Sequence, residues 1–176
     1  ALDRSLLARL AYLIEEATAA FEKYEYARAL QICESFFWSF TDDFVELIKD
    51  RAYGARGEEE QASVLAALAT TLDALLRLFA PFLPFVTEEI WSWWRAGSVH
   101  RAEWPQALPI LEGTLLAEYS AQNPTAGISA QWVLADADPA QIESLKQILP
   151  DVAEALGGLR KAKSDAKVKQ RTEVES

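Results

Sequence analysis

Residues 36–44 read FFWSFTDDF, five aromatics in nine positions with two adjacent acids before the last of them. The fold turns on whether these rings line one side of a helix or form a platform that holds a ligand. Leu30, Cys33, Phe37, Phe40, Phe44, Leu47 and Ile48 recur at the three-and-four spacing of an amphipathic helix, which assigns Phe37, Phe40 and Phe44 to a buried stripe. Phe36 sits beside them and is expected to be buried too. Trp38 shares another face, with Glu34, Thr41 and Val45, so it is expected either to meet a second neighbour or to be partly exposed. Asp42 and Asp43 point about 100° apart on a helix and do not converge on one atom, which argues against acid/base or Mg2+ work. The helix is expected from Glu25 to Tyr53, with Gly54 as its C-terminal stop.

Three further helices surround this one. Leu6, Leu7, Leu10, Leu13, Ile14, Ala17 and Phe21 form the stripe of a preceding helix whose other face carries Arg9, Glu15, Glu16 and Glu22. After the turn GARGEEE, Leu65, Leu68, Leu72, Leu75, Leu76 and Phe79 form a third stripe, which Pro81 and Pro84 end or bend. A shorter fourth helix, PFVTEEIWSWW, leads to Gly97. Helices with one apolar stripe each can bury it only against one another, so the chain is expected to be mainly all-α, an up-and-down four-helix bundle. SVHRAEWP should lie extended across it. The bundle is placed at residues 1–105 and a smaller, partly helical extension at 106–176. In the extension, ISAQWVLA is a possible strand. Asp138 caps a helix that begins at Pro139 and that Pro150 kinks or divides.

The 176 residues suffice for one sizeable core, and their seven glycines and seven prolines are few for a sandwich or barrel. One cysteine and one histidine give no disulfide framework, no metal cluster and no Cys-His pair; a reducing cytoplasm fits best. Cys33 reads as a small core residue and His100 as a loop hydrogen-bonder. No signal pattern or membrane span is expected, and no catalytic constellation is found. The sequence opens inside a helical pattern without methionine, as a piece of a longer chain would. Against 27 acids and 17 basic residues overall, the block Arg160, Lys161, Lys163, Lys167, Lys169 and Arg171 contains one acid, Asp165. Arg160, Lys163 and Lys167 line one helix face, a stripe suited to a phosphate backbone. An acidic helical scaffold for a protein partner is the competing reading, favoured by a net charge of −10.

The order YEYARALQICESFFWSFTDDFVELIKDRAYG, LLRLFAPFLPFVTEEIWSWW and GSVHRAEWP resembles the anticodon-binding helical bundle of class I aminoacyl-tRNA synthetases. Details such as ELIKDRAYG and PFLPFVTEEIW are most similar to the valine enzymes, with the isoleucine enzymes as the alternative. LRKAKSDAKVKQRTEV resembles the segment that follows the bundle. The resemblance covers residues 2–105 and 157–174. It implies a parent ligase that uses ATP and Mg2+, while this chain catalyses nothing and binds no cofactor or metal. It implies valine tRNA and the parent catalytic domain as partners, in a monomer. It also places Val45 and Glu46 at anticodon bases, with Lys49 and Arg51 reaching phosphates, Trp38 available as an exposed aromatic, and the basic block on the tRNA backbone.

Overall fold

A computed structural model of the chain describes residues 2–111, 113 and 139–165. Helix α1 spans Leu2–Glu22. The second helix is one continuous rod in three parts: α2, Tyr26–Trp38; a π-helical segment, Ser39–Phe44; and α3, Val45–Ala52. Helix α4 spans Glu58–Phe79, α5 Pro84–Ser92 and α6 Pro139–Asp165. A 3-10 turn at Val99–Arg101 and a helical stretch at residues 107–111 lie between α5 and α6. The described residues contain no strand. The possible strand at 128–135 and the Asp138 cap fall outside them.

The bundle is up-and-down. At one end Phe21 of α1 meets Tyr26 of α2, with ring centroids 5.7 Å apart, and at the other Asp3 meets Arg51 of α3. Helix α4 returns alongside α1: Ser63 near its start donates to Asp3 at 2.7 Å, and Phe79 at its end packs edge-on against Phe37. Gly54 stops α3 in the left-handed region, at φ 80°, where a side chain would be strained. Pro84 opens α5 at its first turn, where a missing amide hydrogen goes unnoticed. Asp73 of α4 then holds both Arg77 and Arg95, pinning the turn after α5 to the middle of α4.

Trp104 anchors the extended residues that follow. Its indole donates to the Thr18 hydroxyl at 2.8 Å and its ring meets Phe21 edge-on at 5.0 Å. His100 hydrogen-bonds the Pro84 carbonyl, as a loop histidine should. Glu88 accepts from the Ser98 hydroxyl and the Val99 amide and so fixes the 3-10 turn.

Three expectations about faces change in the structure. Ser5, Ala8 and Ala11 are buried together with the leucine stripe of α1, because α6 covers a second side of that helix. Arg9, assigned to the solvent side, lies half-buried over the Phe36 ring and donates to Ser39 at 3.3 Å. Burial pulls its guanidinium below the ordinary arginine value, and Asp43 acts in the opposite direction. On α4 the inward line is Val64, Ala67, Thr71, Ala74, Leu75 and Leu78, whereas Leu65 and Leu72 face outward. A helix apolar on both sides gives no unique stripe. Ala67 and Ala74 win the inner face because small side chains admit a close neighbouring helix.

Leu149 of α6 is fully buried in the same cluster as Leu6, Leu10 and Phe44, and its amide donates to the Ser5 hydroxyl at 3.1 Å. The boundary expected at 105/106 is therefore crossed by a shared core. Pro150 lies inside a helix that continues past it rather than dividing. Helix α4 has the length and apolarity of a membrane-crossing helix, but its inner line packs in this core and Asp73 interrupts it.

Cys33 is buried and unpaired, and burial pushes its thiol from 9.0 up to about 12, with Glu34 adding to the rise. A raised folded-state value means the native protein keeps a proton that the unfolded chain releases. Its contribution to stability is complete below pH 9 and is lost as pH climbs from 9 towards 12. Native Cys33 should accordingly resist a thiol-exchange reagent at pH 8, reacting at the rate of unfolding. Prompt reaction in native buffer would contradict this burial.

Candidate nucleic-acid interface

The π-helical segment decides what the second helix presents. Its hydrogen bonds span one residue more than α-helical ones, so α3 is rotated by roughly 100° from where an uninterrupted helix would place it. Phe36, Phe40, Phe44 and Ile48, four residues apart, would drift around an α-helix; the wider turn holds all four in the core. Phe40 and Phe44 stack at 6.0 Å and 19°. Phe37, expected in the core, is half-buried, and Phe36 takes the deeper place.

The same rotation separates residues expected together. Trp38 is exposed at 59%, edge-on to Phe37 at 5.2 Å. Val45, seven residues on, turns inward and packs against the core. Glu46 and Lys49 stay exposed and pair with each other at 2.5 Å. Thr41 caps back onto the Phe37 carbonyl at 3.0 Å and also donates to Asp42, while Asp43 acts on the charge of Arg9, so the adjacent acids face different groups.

Arg51 does not point at solvent. Its side chain is only 15% exposed and its fork engages the Asp3 carboxylate at 3.0 and 2.5 Å, with Nε 3.0 Å from Glu60. The Asp3 hydrogen bonds raise its pKa above the ordinary value, with the charges of Asp3 and Glu60 adding to the effect against burial. The phosphate contact expected of Arg51 is thereby replaced by an internal ion pair, because Asp3 and Glu60 converge on it from two other helices.

Tyr53 was not singled out from the sequence and is the most exposed large hydrophobic side chain of α3 and the turn after it, at 85%. The signal was present: Glu46, Lys49 and Tyr53 are spaced i, i+3 and i+7, one face of α3 and its end. Among the described residues, this face combines a carboxylate, an ammonium and an unpacked ring. No three His, Cys, Asp or Glu among the described residues are arranged to hold a metal ion.

Helix α6 brings Lys161 towards the same end. Leu149 sits at Ser5, while the Lys146 ammonium lies 4.1 Å over the Tyr12 ring. Helical side chains lean towards their own N-terminus, so α6 runs antiparallel to α1. Lys161, twelve residues beyond Leu149, is exposed roughly 18 Å further on, past the start of α1. Arg160 and Lys163 lie on the same helix, and Lys167, Lys169 and Arg171 fall outside the described residues.

Residues 3–176 match the family model for the anticodon-binding domain of tRNA ligase. The chain is 48% identical over 99% of its length to a valine-tRNA ligase of Thermobifida fusca, covering 17% of that protein. It is 44% identical over 98% to one of Salinispora tropica, covering 19% of it. It is 58% identical over 60% of its length to one of Cutibacterium acnes, covering 12% of it. The chain thus spans about a fifth of the length of the curated relatives it matches.

Proposed function

Because the chain belongs to the family of anticodon-binding domains of tRNA ligases, we propose that it reads the anticodon arm of valine tRNA for a cytoplasmic valine-tRNA ligase. The observation that carries this reading is similarity to valine-tRNA ligases along almost the whole chain. Such a ligase joins valine to its tRNA with ATP and Mg2+, chemistry assigned to the other four-fifths of a relative's length. This domain holds the anticodon arm so that the distant acceptor end reaches that chemistry, and it needs no oligomer to do so.

An anticodon loop offers unpaired bases, which proteins read by stacking and by hydrogen bonds to base edges. Tyr53 and Trp38 offer exposed rings for stacking. Glu46 accepts from a base amino group if its pairing with Lys49 opens, and the freed Lys49 meets a phosphate. Val45 supports this face from beneath. Arg160, Lys161, Lys163, Lys167, Lys169 and Arg171 supply backbone contacts, each phosphate contact steepening the salt dependence.

Binding of this chain to valine tRNA, to an anticodon-altered version and to isoleucine tRNA, across a salt series, tests the reading. The valine tRNA should bind tightest, with affinity falling steeply with salt. Lys161→Glu should weaken all three equally and reduce the salt slope by about 1. Tyr53→Ala should instead narrow the gap between matched and altered anticodons, at a salt slope unchanged. Equal binding of all three, indifferent to Lys161→Glu, would favour the acidic scaffold. Preference for isoleucine tRNA would reassign the module to that ligase.

A further inference from the structure

We propose that Arg51 is a positioning residue for anticodon reading: clamped between Asp3 and Glu60, it fixes the rotation of α3 and thereby the discrimination made by Glu46, Lys49 and Tyr53. The inference rests on the anticodon-reading role above and names a residue that acts without touching RNA.

Helix α3 has only eight residues, and Ile48 is the one that is buried. The π-helical segment sets its rotation where it begins, shifting it from the register α2 alone would give. Val45, Leu47 and Ala52 pack only partly buried against the core, so how firmly the last turn presents its exposed face depends on a further hold at its end. That hold is a node drawn from three helices. Asp3 of α1 takes both arms of the Arg51 fork and the Ser63 hydroxyl of α4, and Glu60 of α4 meets Arg51 Nε. Gln61 of α4 donates to the Ala52 carbonyl at 2.9 Å, tying down the last turn.

A planar guanidinium held by both carboxylate oxygens fixes an orientation as well as a distance, which an ammonium point charge does not. Arg51 is two residues from Lys49 on one side and from Tyr53 on the other. Any roll of α3 about its axis displaces both side chains on the exposed face. Reading groups hold specificity only while their supporting residues keep them in place.

The test compares the unaltered 176-residue chain with Arg51→Lys and Asp3→Asn, measuring affinities for valine tRNA and for its anticodon-altered version well below the melting temperature. Both variants should lose roughly fivefold to tenfold of the discrimination ratio. Binding of the altered tRNA, which reports backbone contacts alone, should stay within about twofold, and the helical circular dichroism should be unchanged. Asp3 is buried and cannot reach RNA, so its effect isolates positioning from contact. If Arg51 itself bound phosphate, Asp3→Asn would free it and tighten both tRNAs, which would overturn the proposal. So would full discrimination retained in both variants. Should either variant fail to fold, Glu60→Gln keeps the Asp3 pair and is expected to show a smaller loss of the same kind; no loss there also overturns it. If the unaltered chain shows no anticodon discrimination, the anticodon-reading role falls first and this inference with it.

Discussion

Phe44→Ala is expected to cost about 3–5 kcal/mol of stability, the largest loss of any single truncation in the second helix. Phe44 is fully buried, stacks on Phe40, and sits at the last position of the π-helical segment, where α1, the second helix and α6 share one core. Alanine there removes a ring's worth of buried surface and leaves a cavity that helices on several sides cannot all close. For a chain of this size the thermal midpoint should fall by roughly 10 °C. Trp38→Ala, six residues earlier but largely exposed, should change stability by no more than about 0.5–1 kcal/mol. Thermal and denaturant melts of the two variants side by side measure the contrast. Comparable losses would mean that the second helix is rotated from the arrangement described, with Trp38 inside.

Leu149→Ala is expected to cost about 2–5 kcal/mol, and to do so for the whole bundle rather than for α6 alone. Leu149 is fully buried in the core cluster that holds Leu6 and Leu10, and its backbone amide donates to Ser5. If α6 is integral to the core, denaturation followed by near-ultraviolet signal from the bundle tryptophans should shift as one cooperative transition. A helix merely appended to a finished bundle would melt first and leave the main transition where it was. The experiment thus decides whether the basic face near Lys161 is held rigidly beside α3 or swings on a tether, which matters directly for how tRNA is gripped.

The helices themselves were legible in the residues because each boundary has a local chemical cause. Gly54 in a left-handed turn, Glu58 opening α4, Pro84 in the first turn of α5 and Pro139 at the start of α6 all stand where sequence reasoning puts them. Resemblance to the anticodon-binding bundles was likewise legible, since several separated motifs occur in one order. What was not legible is which face each helix turns inward. Phe36 is buried as expected while Phe37 is only half-buried, Leu65 and Leu72 turned outward, and Arg9 and Arg51 turned inward. Periodicity on α1 and α4 is ambiguous because each is apolar over more than half its circumference.

Residue types, spacing and caps determined where the helices begin and end, and the family to which the chain belongs. These are local or pattern properties, carried by neighbours within a turn or two. Only the tertiary structure decided that SFTDDF widens into a π-helical turn, that α6 joins the core antiparallel to α1, and that Arg51 is spent on Asp3 and Glu60 while Tyr53 is left exposed. Each of these depends on residues tens of positions apart meeting in space: Asp3 with Arg51, Ser5 with Leu149, Arg9 with Ser39. Burial energy is gained only when a whole face is covered, so the choice among nearly equivalent faces is made by the assembled neighbours.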